Sequence, residues 1–162
     1  MKKGFTLIEI IAVLLLVSLL VLASTLALLP LVNGFAQARV NTDAAQKSFL
    51  ALSRLAFEFT TITEIISSGP YSITYDFMTP AGDTVRRVVA WNGQSGAPLT
   101  LDNVPLSDDV HSFELRYYSE PAAVATSQWI QDSSRLIEIV YETFSSRDVY
   151  TKRIRPRNIP GG

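Results

Sequence analysis

The chain has 162 residues, with 14 Lys and Arg against 15 Asp and Glu, one His and no Cys. That near-neutral balance excludes a generally basic nucleic-acid binder. The missing cysteines exclude disulfides, thiolate zinc sites and a cysteine nucleophile, and a single histidine, His111, leaves no multi-histidine metal site.

The first element is apolar. Between Glu9 and Arg39 there is no charged residue, and the run from Ile10 to Leu29 is apolar on every helical face. A bilayer core about 30 Å thick needs roughly 20 such residues. Phe5 to Leu29 as a helix spans about 37 Å, enough to cross with some tilt. A domain of this size could not surround such a helix as its core. Lys2 and Lys3 precede the run, and positive residues stay cytoplasmic, so the body from about Asn33 is expected on the far side of the membrane. A secretory signal peptide would have a shorter apolar region and a small-residue cleavage site. The nearest candidates, Ala23-Ser24-Thr25 and Phe35-Ala36-Gln37-Ala38, form no clean site of that kind.

Glu9 stands at the edge of the run. A carboxylate at the bilayer centre costs about 2.5 kcal/mol or more, so such a residue calls for a partner or for escape to the interface beside Lys3. The segment Lys2-Lys3-Gly4-Phe5-Thr6-Leu7-Ile8-Glu9 resembles the N-terminal signal of type IV pilins and of the pseudopilins of type II secretion. A short basic leader, a glycine, an aromatic residue and a glutamate at fixed spacing coincide before a long apolar run. The resemblance implies cleavage between Gly4 and Phe5 by a prepilin peptidase and methylation of the new Phe5 amine. It also implies a role for Glu9 in filament assembly, as the partner of a neighbouring subunit's terminal ammonium. The partners it implies are other pilin or pseudopilin subunits, the peptidase, an inner-membrane assembly platform, and membrane lipid before assembly. The implied location is the inner membrane, with a single pass and the body outside the cytoplasm, and then the filament. The architecture it implies is a long first helix whose outer half carries the body. A leader at 1–4, a membrane and filament-core helix at 5–32, an amphipathic helix at 33–67 and a sheet region at 68–162 follow.

Pro30, Asn33 and Gly34 are expected to kink or break the helix. Helical periodicity resumes with Phe49, Leu52, Leu55, Ala56 and Phe59 on one stripe, and Lys47, Ser53, Arg54 and Glu58 largely off it. Ser67-Ser68-Gly69-Pro70 reads as the end of this helix. The period then becomes two. Tyr71 to Phe77, Val85 to Trp91, Val110 to Tyr117, Leu136 to Phe144 and Val149 to Ile154 read as strands, with a short one at Leu99 to Leu101. Turn residues rather than helices separate them, which predicts an antiparallel sheet and an α+β fold. Asn158 to Gly162 reads as a frayed end. The pattern Asp109 to Tyr118, then Trp129, then Arg135 to Tyr141 is similar to minor pseudopilins of the J type and to PilW-like minor pilins.

Other chemistry finds little support. Asp102, Asp108 and Asp109 lack the spacing of a calcium loop. His111 and Glu114 come without a nucleophile in any motif, Trp91 and Trp129 read as core or interface anchors, and no cofactor, metal or catalytic site is expected. The basic tail Lys152, Arg153, Arg155 and Arg157 could meet phosphates, but it is short and lacks interleaved aromatics. A solvated terminal strand, or salt bridges to the next subunit, is the better reading than nucleic acid. The expected function is a minor pilin or pseudopilin and not an enzyme, with a signal-anchored exported binding protein that never polymerises as the alternative.

Overall fold

The computed structural model describes residues 6–79 and 81–159. Its elements are one helix, α1 (Leu7–Thr60), followed by eight strands: β1 (Ile62–Ser68), β2 (Ser72–Met78), β3 (Thr84–Ala90), β4 (Leu99–Leu101), β5 (Val104–Ser107), β6 (Val110–Tyr118), β7 (Leu136–Thr143) and β8 (Val149–Ile154). The chain divides into two units, Met1–Val40 and Asn41–Gly162, and α1 contributes to both.

In the first unit α1 runs through Pro30, Asn33 and Gly34 without the break that was one of the two expectations there, the other being a kink. Proline removes one backbone hydrogen bond and crowds the preceding turn. In an apolar medium any further loss of helical bonds is costly, which favours keeping the helix on either side.

In the second unit the helix ends earlier than expected. Its amphipathic part was read as reaching the turn at Ser67, yet it stops at Thr60 and Ile62–Ser68 is a strand. Thr60-Thr-Ile-Thr63 and Ile65-Ile66 form a β-branched run, which is stiff in a helix and packs well in a strand. The buried helical face is also different from the expected stripe. Ala44, Ser48, Ala51, Leu52, Leu55, Glu58 and Phe59 are buried, whereas Phe49 is 69% exposed.

All strand pairs are antiparallel, and they form two sheets instead of one. The first is the meander β1-β2-β3-β4-β5 and the second the meander β6-β7-β8. One hydrophobic core joins them to α1, with Leu55, Phe59, Ile73, Tyr75, Val89, Leu99, Phe113, Leu115, Tyr117, Ile137, Ile139 and Tyr141 almost wholly buried. Phe59 meets Tyr75 edge to face at 5.7 Å. The sheets are also stitched by polar contacts. The Leu115 amide donates to the Pro70 carbonyl at 2.7 Å, and the Tyr117 hydroxyl donates to the Gly69 carbonyl at 3.1 Å.

Strand β5 was not anticipated. Its hairpin with β4 turns on Asp102 and Asn103, both at positive φ, the backbone of a two-residue turn that Asn and Asp tolerate. The strand contains Pro105; β5 lies at the sheet edge, where a missing N–H is tolerated. The chain end is not frayed up to Ile159. The Arg157 amide donates to the Thr60 carbonyl, the Asn158 side chain to that of Thr61, and Ile159 is buried in the core, so the tail caps the end of α1.

A fragment beginning near Phe35 is expected to be soluble, with mixed helix and strand by circular dichroism and one cooperative melt. In that fragment Phe59→Ala should cost about 3–5 kcal/mol by denaturant unfolding, because it empties a fully buried aromatic site.

Candidate functional site

The N-terminal unit is built to be surrounded by apolar neighbours. Leu14, Leu16, Leu19, Leu20 and Leu22 are each more than half exposed, and so are Leu28, Leu31 and Val32. The polar side chains of the run satisfy themselves. The Ser18 hydroxyl donates to the Leu14 carbonyl at 2.5 Å, Ser24 to Leu20 at 2.8 Å and Thr25 to Val21 at 2.9 Å. Such back-bonding removes the penalty that a free hydroxyl carries in hydrocarbon. The helix is long and apolar enough to cross a membrane.

Glu9 lies in the first turn of α1 and is exposed. Its amide donates to the Thr6 carbonyl at 3.1 Å, and the Ile10 amide to the same oxygen at 3.3 Å. A carboxylate there complements the positive end of the helix dipole. No ion pair joins it to another described residue. Gly4 and Phe5, the predicted cleavage and methylation positions, lie outside the described residues, as do Lys2 and Lys3.

Residues 1–25 match the prokaryotic N-terminal methylation motif. This is the signal of type IV pilins and pseudopilins, and the chain carries it over Lys2 to Glu9 and the first half of the apolar run. The match covers the signal and leaves the body unassigned. Comparison with curated proteins and with solved structures gives no significant match. The motif, together with the apolar helix behind it, fits an inner-membrane anchor. It makes the chain a prepilin-peptidase type of substrate, and it points to that peptidase and to other pilin-type subunits as partners.

In the body the other candidates separate. Asp102 holds the β3 backbone, accepting from the Val88 amide at 2.9 Å. Asp108 pairs with Lys47 at 2.6 Å, and Asp109 accepts from the amide and hydroxyl of Ser145 at 2.9 and 2.6 Å. No group of three or more metal-ligating side chains occurs among the described residues. His111 and Glu114 do not meet: His111 Nδ1 bonds the Ser95 hydroxyl at 2.6 Å, and Glu114 pairs with Arg116 at 2.7 Å. Trp91 is buried and Trp129 half-buried, the latter edge to face with Tyr117.

Two buried carboxylates escaped the sequence reading. Glu58, placed off the buried stripe, is only 2% exposed. It takes Arg54 at 2.6 Å, Arg87 at 2.8 Å and the Tyr75 hydroxyl at 3.1 Å, which ties α1 to β2 and β3. Burial first, and then the Glu58 charge, push the Tyr75 hydroxyl pKa well above its usual value, so it remains a donor. Glu138 lies between Arg116 and Arg153 in the register of β6-β7-β8. It accepts from the Tyr118 hydroxyl at 2.6 Å and from Arg153 Nε at 2.7 Å, with the Arg153 guanidinium 4.6 Å above the Tyr118 ring. Strand alternation held the signal for this ladder: Arg116, Glu138 and Arg153 all fall on the face opposite Leu115, Ile137 and Ile139.

Burial pushes the Glu138 carboxyl up, but the hydrogen bonds from Tyr118 and Arg153 and the nearby guanidinium charges outweigh it, and the net shift is downward from 4.5. The Arg86 hydrogen bond likewise holds Asp76 below the usual carboxylate range. A carboxyl depressed on folding stabilises the fold above its unfolded pKa and loses that effect as pH falls through the folded value. Thermal stability of the body should therefore be level from neutral pH to about 5 and fall below about 4.5. Glu138→Gln should lower stability at neutral pH by about 1–3 kcal/mol and flatten the acid limb, as read by melts across pH.

Proposed function

We propose that this chain is a structural subunit, a minor pilin or pseudopilin, that enters or primes a type IV pilus or type II secretion pseudopilus after cleavage between Gly4 and Phe5. The methylation motif at residues 1–25 carries the reading. Removing Lys2 and Lys3 while keeping the apolar run leaves a product that only lipid or other apolar helices can cover. On this reading residues 5–32 anchor the precursor in the inner membrane and later pack in a filament core. The body lies outside the cytoplasm, by the positive-inside rule. The assembly platform of that membrane is the partner that moves the subunit from lipid to filament. Phe5 is then the methylated terminus.

Glu9 has the central role in assembly. In a core of packed helices an unpaired carboxylate is costly, and the terminal ammonium of a neighbour offsets that cost. Such a pair aligns one helix against the next, a use of buried charge in setting register. The alternative, a signal-anchored binding protein that does not polymerise, leaves the Glu9 position without a purpose.

Gly4→Arg should block processing, because only a residue without a side chain lets the backbone approach the cleavage centre closely. Mass spectrometry of the membrane fraction decides, and a mature N-terminus at Phe5 in the variant would refute the assignment. Glu9→Ala should be cleaved normally but enter filaments poorly, on the order of tenfold less by immunoblot of sheared filaments. Normal incorporation would reduce Glu9 to an interfacial residue.

A further inference from the structure

The basic tail borders an open groove of about 930 Å³ between the last turns of α1 and the residues that follow β8. Its apolar part comes from Ala56, Phe57, Ile154 and Pro156. Phe57 is 64% exposed on the solvent side of α1. Lys152, Arg155 and Arg157 line the groove, are exposed, and have no ion pair with any described residue. Arg153 is different, since its guanidinium is already held by Glu138 and the Pro121 carbonyl.

The same chain presents a complementary surface. The loop from Ser119 to Asp132 contains no Lys or Arg, and its two carboxylates, Glu120 and Asp132, are exposed and form no ion pair with a described residue. Trp129 packs inward against Tyr117, but two of the loop's aliphatic side chains are exposed, Val124 at 90% and Ile130 at 51%. The groove thus combines an exposed aromatic with unpaired cations, and the loop combines exposed aliphatics with unpaired carboxylates.

We propose that the groove beside Phe57 receives the Ser119–Asp132 loop of a second copy of this chain. Val124 and Ile130 supply apolar contact to the exposed Phe57 ring, while Glu120 and Asp132 face Lys152, Arg155 and Arg157. Opposite charges across the contact set orientation and disfavour the reversed pairing. A lipid or phosphate ligand would use the cations but leave the loop unexplained, so a protein neighbour of the same sequence is the occupant that accounts for both surfaces. The contact involves only the body and stands whether or not cleavage at Gly4 leads to a filament.

The natural absence of cysteine gives a direct test. Full-length Phe57→Cys and Val124→Cys chains, differently tagged, are expressed together and oxidised mildly in membranes. A mixed disulfide dimer is expected, well above the yield of a Val85→Cys and Val124→Cys pair. Arg155→Glu with Arg157→Glu in the Phe57→Cys chain should cut the yield about tenfold. Glu120→Arg with Asp132→Arg in the partner should restore it, which shows that the reversed chain is still folded. Yields equal to the control pair, capture of other proteins in place of the mixed dimer, or indifference to the charge reversal would each overturn the contact. A processed, filament-incorporated chain that gives no mixed dimer overturns the contact while the filament reading stands.

Discussion

The uncharged run between Glu9 and Arg39 is too apolar along its whole length to rest in water, and it calls for an apolar surrounding. Its leucines and valines are exposed along the helix, and its few hydroxyls donate back to the helix's own carbonyls. A helix of that composition rests in lipid or against other apolar helices, and each environment sets its own condition on Glu9. In lipid the carboxylate stays near the interface; in a helical bundle it needs a cation. The methylation motif bears on both conditions, because under the proposed cleavage before Phe5 a new ammonium would stand close to Glu9 in sequence.

The body solves a separate problem with the other part of the same helix. Two small antiparallel meanders share one core, and the helical face made of Ala44, Ser48, Ala51, Leu52, Leu55 and Phe59 closes it. Small residues at the start of that face let the backbone lie close to its neighbours, and larger ones fill the space toward the end. Glu58 adds direction. Its carboxylate is shared by Arg54, Arg87 and Tyr75, so helix, β2 and β3 meet at one charged point inside an otherwise apolar interface. Removing Glu58 would leave the buried Tyr75 hydroxyl without its acceptor and Arg87 without its nearest carboxylate, which is how such a group contributes specificity more than net stability. Glu138 does the same for the second sheet, from its outer face.

The charged groups of the body are therefore of two kinds. Some are consumed by the fold: Glu58 with Arg87, Asp76 with Arg86, and Glu138 with Arg153. Others, the cations Lys152, Arg155 and Arg157 and the carboxylates Glu120 and Asp132, form no ion pair with a described residue. Surface charge of that second kind steers and orients partners; it adds little to folding.

Much was legible without coordinates. Period-two alternation placed five strands within a residue or two of their observed ends, and turn residues predicted antiparallel pairing. The coincidence of Lys3, Gly4, Phe5 and Glu9 before an apolar run identified the signal, because those features are local and covalently spaced. What the sequence could not decide was which of two overlapping helical faces turns inward. Phe49 and Ser48 are adjacent, and only the shape of the covering sheets buries the serine and leaves the phenylalanine outside. The end of α1 at Thr60, the hairpin at Asp102-Asn103 and the docking of Ile159 likewise depend on distant partners. Helix periodicity and strand alternation describe one segment at a time. Burial of a charge such as Glu58, or the division into two sheets, is decided by groups tens of residues away in sequence, which tertiary packing alone brings into contact.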